Sequence, residues 1–350
     1  MKRFFDKKES WGQEERKNRQ DQSLARMVKL GYKKSTVLKK ILDRQKINPA
    51  KIKTREDLEI LPVTSREKLV EMEMQNPPYA GLENPSTPMD RIFTSPGPVY
   101  EPHLSETDYL WARAFFAAGI GPHDIALNAF SYHLVAAGLT FHNGLRKVGA
   151  TVVPSGTSSS QVQVQLIRDL KVTAYVGTPS FLMSIINQAR EMGHDFKKDF
   201  RVKKACFAAE PLLPTLRQVF EKEYGIDTYQ MYGATEVGDV AYECSRKSGW
   251  HICEETIVEI VDPATGKNVE PGELGEVVVT RLNDIFFLLR FGTGDLSRLI
   301  TKKCSCGRTS WRLAGIAGRV GEAVKVRGLF IAPSQLKLLS GKFEIGRALV

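Results

Sequence analysis

The chain has 350 residues, of which 42% are hydrophobic, with a formal net charge of +10 and five cysteines. That length holds one large domain or two, and the composition excludes a disordered or low-complexity protein. The sequence has no run of about 18 apolar residues, which excludes a membrane-spanning helix, and Met1-Lys2-Arg3-Phe4-Phe5-Asp6 lacks the apolar core of a secretory leader. The basic residues are dispersed without an aromatic-basic ladder, so the positive field suits small anionic substrates such as nucleotides rather than nucleic acid. A cytoplasmic location is expected, with the cysteines as free thiols or metal ligands rather than disulfides.

Residues 1–45 read as charged helices with an apolar stripe (Leu24, Met27, Val28, Val37, Leu38, Ile41 and Leu42), a packing or docking face that would allow a homodimer. Thr54-Arg55-Glu56-Asp57 and Thr64-Ser65-Arg66-Glu67 look like N-capped helix starts. Residues 76–102 read as a long proline-rich loop. From Ser105 the pattern alternates. Strands are expected at 124–129, 150–154, 172–177 and 204–208, and helices at 134–148, 161–169, 179–191 and 212–224. Such βα alternation predicts an α/β fold, a mostly parallel sheet covered by helices, with ligands at the C-terminal strand ends. Beyond about 240 the texture turns β-rich, with 251–261 and 275–280 as strands around the Asp262-Pro263-Ala264-Thr265-Gly266 turn. The expected division is a helical segment (1–75), an α/β body (76–240), a smaller β-rich subdomain (241–317) and a short remainder (318–350).

Three stretches carry chemistry. In Tyr229-Gln230-Met231-Tyr232-Gly233-Ala234-Thr235-Glu236, Thr235 offers a hydroxyl to a phosphate oxygen and Glu236 a carboxylate to Mg²⁺. Tyr232 and the Gly233 backbone offer flat surfaces to a heterocycle. The plainer alternative is a strand, a turn and a helix capped by the Thr-Glu pair. Arg290-Phe291-Gly292-Thr293-Gly294-Asp295 sets a carboxylate behind a glycine turn, as a ribose contact or as an Asp-assisted turn. Gly318-Arg319-Val320-Gly321 follows and opens another short strand.

In this order the motifs resemble the acyl-adenylate-forming (AMP-binding) superfamily, and within it the phenylacetate–coenzyme A ligase family. The likeness covers roughly 60–340 and extends to Phe141-His142-Asn143-Gly144-Leu145-Arg146, Gly177-Thr178-Pro179-Ser180, Ala209-Glu210-Pro211 and Cys304-Ser305-Cys306-Gly307. It implies that a carboxylic acid, most simply an aryl acid, reacts with ATP to an acyl-adenylate and then with coenzyme A. By resemblance Thr235 contacts the α-phosphate, Glu236 holds Mg²⁺, and Asp295 and Arg319 hold the ribose. Ala209, Glu210 and Pro211, with Met231, Tyr232 and Gly233, would line the adenine slot. Tyr132, Phe141, Gly177, Thr178 and Pro179 would border the acyl pocket.

The chain also departs from that family. The usual phosphate loop is rich in Ser, Thr and Gly and ends in Lys-Pro. Here the stretch is Phe93-Thr94-Ser95-Pro96-Gly97-Pro98-Val99-Tyr100-Glu101-Pro102, where two prolines remove amide donors and Glu101 stands for the lysine. Gly321 replaces the usual hinge aspartate, with Glu322 next, and the sequence stops at Val350, so the C-terminal lid and its lysine are expected to be largely absent. Two further readings follow: a nucleotide- or acyl-binding homologue with altered adenylation, and an adenylating enzyme that passes its acyl group to a carrier protein. Cys244, His251, Cys304 and Cys306 would make a Cys₃His structural Zn²⁺ site of a kind found in some family members. Buried reduced thiols are the competing reading, with Cys253 as an alternative ligand and Cys206 in the core.

Overall fold

The computed structural model describes residues 3–95, 99–321, 324–326 and 329–331. Pro96, Gly97 and Pro98 of the phosphate-loop stretch, Glu322, and everything after Ile331 lie outside the described residues.

Strands Ile125–Asn128, Thr151–Val153, Ala174–Gly177, Lys204–Phe207 and Asp227–Ala234 pair in parallel. Their short apolar runs are bounded by turn residues and separated by amphipathic helices, the pattern of strands buried on both faces. Helices Ser160–Asp169 and Pro179–Glu191 cover one face, burying Val164, Ile167, Leu182 and Ile185. Helices Ala112–Ala117 and Ala137–Lys147 cover the other, through Phe115, Phe141 and Leu145. Each such side chain contributes roughly 1.5–3 kcal/mol by leaving water.

The sheet does not stop where the α/β pattern does. Asp227–Ala234 turns back antiparallel into Gly238–Glu243, and Trp250–Ile252, Arg312–Leu313 and Leu299–Ile300 extend the same nine-stranded sheet through position 240. Within the α/β body the sheet is mostly parallel, as expected, and the antiparallel strands are added by the β-rich part. The expected strand over 251–261 is two strands, Trp250–Ile252 and Thr256–Val261, because Glu254 and Glu255 turn to meet arginines. Thr256–Val261 joins Gly275–Arg281 and Phe291–Ser297 in a second, five-stranded sheet.

The proline-rich loop contains a hairpin, Arg91–Ser95 with Val99–His103, in which Glu101 faces Phe93 across the ladder. Pro102 sits in a two-stranded ribbon among the described residues, where an edge position tolerates proline. The stop in helix 212–224 is also sharper than expected: Pro214–Gln218 passes into a π-helical turn, Val219–Glu223.

At the N-terminus, helices Gln13–Lys34 and Thr36–Arg44 bury Leu24, Met27, Val28, Leu38 and Leu42 against Ile257, Phe287 and Leu289. The apolar stripe is covered within the chain, which removes the open face on which the dimer expectation rested. Buried ion pairs lock this segment down. Glu9 accepts from Arg308 Nε at 2.6 Å and from Tyr242 Oη at 3.0 Å. Arg113 joins Asp6 to Glu255, and Arg16 Nε meets Glu254 at 2.6 Å. Among the described residues no helix is long and apolar enough to cross a membrane.

Candidate functional site

A cavity of about 730 Å³ opens at the C-terminal ends of the parallel strands, lined by Trp111, Phe130, Phe141, Ala209, Thr235 and Glu236 among others. Each lining residue follows from local structure. Phe130 and Ala209 come just after strands Ile125–Asn128 and Lys204–Phe207. Ala209 has φ 68°, a left-handed conformation rare for a residue with a Cβ and common where a site imposes its geometry. Gly233 permits a close approach: a Cβ there would lie 2.4 Å from Gly238 O and 3.1 Å from the Trp111 ring.

Thr235 and Glu236 occupy the turn between antiparallel strands Asp227–Ala234 and Gly238–Glu243, so they cap no helix. Glu236 Oε1 accepts from Arg66 Nη1 at 2.5 Å. Its Oε2 is buried without a hydrogen-bond partner. Arg66 begins helix Arg66–Gln75, capped by Ser65, and lines a second cavity of about 750 Å³ with Thr293, Gly294 and Arg319. The Arg66–Glu236 pair thus links the two cavities. Seven residues on, Glu73 lies on the same face of that helix, fully buried, with Oε2 accepting from Tyr100 N at 2.8 Å. Glu101 projects into the first cavity from its hairpin. Burial, then the neighbouring Glu236, pushes its carboxyl up to about 8; burial pushes Glu73 up to about 7.

Asp295 and Arg319 are direct register partners on adjacent strands, with Arg319 Nε 3.7 Å from Asp295 Oδ1. Gly294, at φ 73°, keeps that space clear, because a Cβ would lie 2.9 Å from Arg319 Nη2. Tyr232 Oη donates to Asp295 Oδ2 at 2.9 Å and lies 3.2 Å from Thr293 Oγ1. Burial raises the Asp295 pKa, although Tyr232 and Arg319 pull it down.

Several expected residues point elsewhere. The Tyr232 ring packs beside Trp250, with centroids 5.7 Å apart, while its hydroxyl reaches Asp295. Met231 is core. Glu210 turns its carboxylate to Ser180, 2.8 Å from Oγ, at the start of helix Pro179–Glu191, which leaves Ala209 as that motif's contribution to the cavity wall. Gly177, Thr178 and Pro179 build the same helix start: Thr178 caps Phe181 N, and Gly177 leaves room for the Tyr175 hydroxyl. Tyr132 lies behind the wall, where Asn128 and His142 engage its hydroxyl at 2.9 and 3.1 Å. Phe141 does line the cavity, in an aromatic box with Trp111 (4.9 Å) and Phe130 (5.0 Å). Arg66, Glu73 and Trp111 were not singled out from sequence.

The four expected metal ligands converge. The ligand atoms of Cys244, His251, Cys304 and Cys306 lie within 4.8 Å of one another. Cys244 Sγ is 3.9 Å from Cys304 Sγ, and Cys306 Sγ is 3.4 Å from His251 Nε2. With Zn–S about 2.3 Å and Zn–N about 2.0 Å, tetrahedral edges run roughly 3.5–3.8 Å, so the set fits zinc. Ser310 Oγ lies 3.3 Å from His251 Nδ1, fixing which ring nitrogen faces the thiols. Cys253 and Cys206 are buried elsewhere, in the core.

Residues 104–283 match the AMP-binding enzyme family. The chain is 30% identical to phenylacetate–coenzyme A ligase of Thermus thermophilus over 331 residues, covering 91% of this chain and 73% of that one. It is 31% identical to phenylacetate–coenzyme A ligase of Escherichia coli K12 over 339 residues, covering 93% and 76%. The fold is that of an open conformation of 2-hydroxyisobutyryl-CoA ligase solved with 2-HIB-AMP and CoA: TM-score 0.87, 23% identity, 96% of this chain and 82% of the other. With the aromatic-walled cavity and the Thr235–Glu236 turn in place, these matches assign the chain to the phenylacetate–coenzyme A ligase family of AMP-binding enzymes.

Proposed function

We propose that this chain activates an aryl carboxylic acid with ATP and transfers the acyl group to coenzyme A. The observation that carries the reading is a single cavity with an aromatic end (Trp111, Phe130, Phe141) and a polar end (Thr235, Glu236). In the first step a carboxylate oxygen attacks the α-phosphorus and pyrophosphate leaves. In the second the coenzyme A sulfur attacks the acyl carbon, losing its proton to solvent, and AMP leaves.

No group here is placed as an acid or base, so the protein's contribution is alignment and charge. The aromatic box orients the acid's ring. The Thr235 hydroxyl donates to a non-bridging α-phosphate oxygen. The Asp295 carboxylate, aimed by Tyr232 and Arg319, accepts from ribose hydroxyls. Glu236 Oε2, buried and unpartnered, would hold Mg²⁺, which when bound neutralises phosphate charge. Cys244, His251, Cys304 and Cys306 would hold a structural Zn²⁺ that staples the sheet edge. This reading places the reaction in the cytoplasm.

A second reading rests on Glu101: a carboxylate where the family's phosphate loop has lysine repels the β- and γ-phosphates, which favours a binder with altered adenylation. Acid-dependent exchange of labelled pyrophosphate into ATP separates the two. Exchange with aryl acids but not short aliphatic acids is expected; measurable ATP binding with no exchange for any acid would favour the binder. A thioester that forms with a carrier protein but not with coenzyme A would replace the acceptor.

A further inference from the structure

The phosphate-loop departure has a structural consequence. Glu101 is 6% exposed and Glu236 7% exposed, and both line the first cavity. Glu101 Oε1 and Glu236 Oε2 are each buried without a hydrogen-bond partner among the described residues. Glu73, behind them, has Oε1 in the same condition. The carboxylates repel one another, and Arg66, the cation that faces them, already bonds Glu236 Oε1. Burying an unpaired carboxylate costs several kcal/mol, so the two open oxygens favour a cationic partner.

We propose that Glu101 and Glu236 together form a divalent-cation site that fills before any nucleotide arrives, with Glu101 as the ligand this chain adds. Both open atoms are hard carboxylate oxygens, the donors that Mg²⁺, Mn²⁺ and Ca²⁺ take, and the adjoining cavity supplies water for the remaining positions. A resident dication also places positive charge where the family's loop carries lysine, which makes Glu101 compatible with a triphosphate rather than hostile to it. The site shares Glu236 with the nucleotide reading above, but it is tested without nucleotide, so either can fail alone.

The test is equilibrium dialysis and electron paramagnetic resonance with Mn²⁺ as the probe, on zinc-replete full-length protein free of nucleotide. Wild type is expected to bind one Mn²⁺ saturably. Glu101→Gln is expected to weaken that binding at least about tenfold (a ΔΔG near 1.4 kcal/mol), and Glu101→Lys to abolish it by placing an ammonium in the site. Zinc content and far-ultraviolet dichroism report whether each variant is folded, and the two replacements guard against a failure of either one. Wild type without saturable Mn²⁺ overturns the proposal. So does Glu101→Gln binding Mn²⁺ as tightly as wild type while Glu236→Gln loses it, since Glu236 would then act alone. Saturable Mn²⁺ binding with no ATP binding at all would support this site and count against the nucleotide reading.

Discussion

Two buried acidic clusters in this molecule differ in one respect. Around the N-terminal segment, Glu9, Glu254 and Glu255 each meet an arginine (Arg308, Arg16 and Arg113). Around the cavity, Arg66 meets Glu236, and Glu73, Glu101 and Glu236 each keep one carboxylate oxygen unpartnered among the described residues. Glu9 and Glu254 are as buried as Glu73, Glu101 and Glu236, so burial alone does not mark function. A buried carboxylate whose partners are all in the chain holds the fold together; one with an oxygen to spare holds a place for something else.

Breaking the first cluster is expected to have the largest effect on stability. Arg113→Met removes the shared partner of Asp6 and Glu255 and is expected to cost about 3–5 kcal/mol, read as a lower urea midpoint at unchanged slope. A loss below about 1 kcal/mol would place the clamp among weak surface pairs.

Next comes the knuckle, where Cys304→Ser should lower zinc from one per chain towards none and cost about 2–3 kcal/mol. Unchanged zinc content would remove the site. The cavity cluster should behave in the opposite way. Glu236→Gln is expected to leave stability within about 1 kcal/mol, because Arg66 reaches solvent, while abolishing Mg²⁺-dependent nucleotide binding. Retained binding would count against its role.

The smallest effect is in pH. Hydrogen bonds and charge from Arg113 and Lys8, winning over burial, hold Glu255 at about 2 against an ordinary 4.5. Its folded pKa is depressed, so its stabilisation is present above 4.5 and is lost as pH falls from 4.5 towards 2. Glu254 has the other sign: burial, which Arg16 offsets only in part, raises it to about 7. Its contribution is full below 4.5 and is lost as pH rises through 7. Glu255→Gln should therefore flatten the acid limb of a stability–pH curve and leave the limb between 4.5 and 7 in place. A variant that moves both limbs equally would contradict the assignment.

How much was legible follows from which interactions are local. The helix Pro179–Glu191 and the parallel strands announced themselves by period and by their caps. The Cys₃His cluster was legible because cysteines and a histidine have few other reasons to gather. The Thr235–Glu236 turn and the Asp295–Arg319 pair were legible as motifs. Their mutual geometry was not, because Tyr232 reaches Asp295 only once two sheets pack. Arg66 and Glu73 carried no signal: a charged helix face reads as solvated until a distant hairpin covers it. Trp111 is indistinguishable from core in sequence. The break at 253–255 was missed because an alternating run does not show that Glu254 and Glu255 have arginines waiting from 16 and 113.

The most direct measurement follows an atom. Phenylacetate, or another aryl acid found active by exchange, is labelled with heavy oxygen in its carboxylate and incubated with the protein, ATP, Mg²⁺ and coenzyme A, and the nucleotide product is weighed by mass spectrometry. If acyl-adenylate formation is correct, AMP carries one heavy oxygen, left behind when the thiol displaces it. Unlabelled AMP, or heavy oxygen appearing in inorganic phosphate alongside ADP, would contradict it.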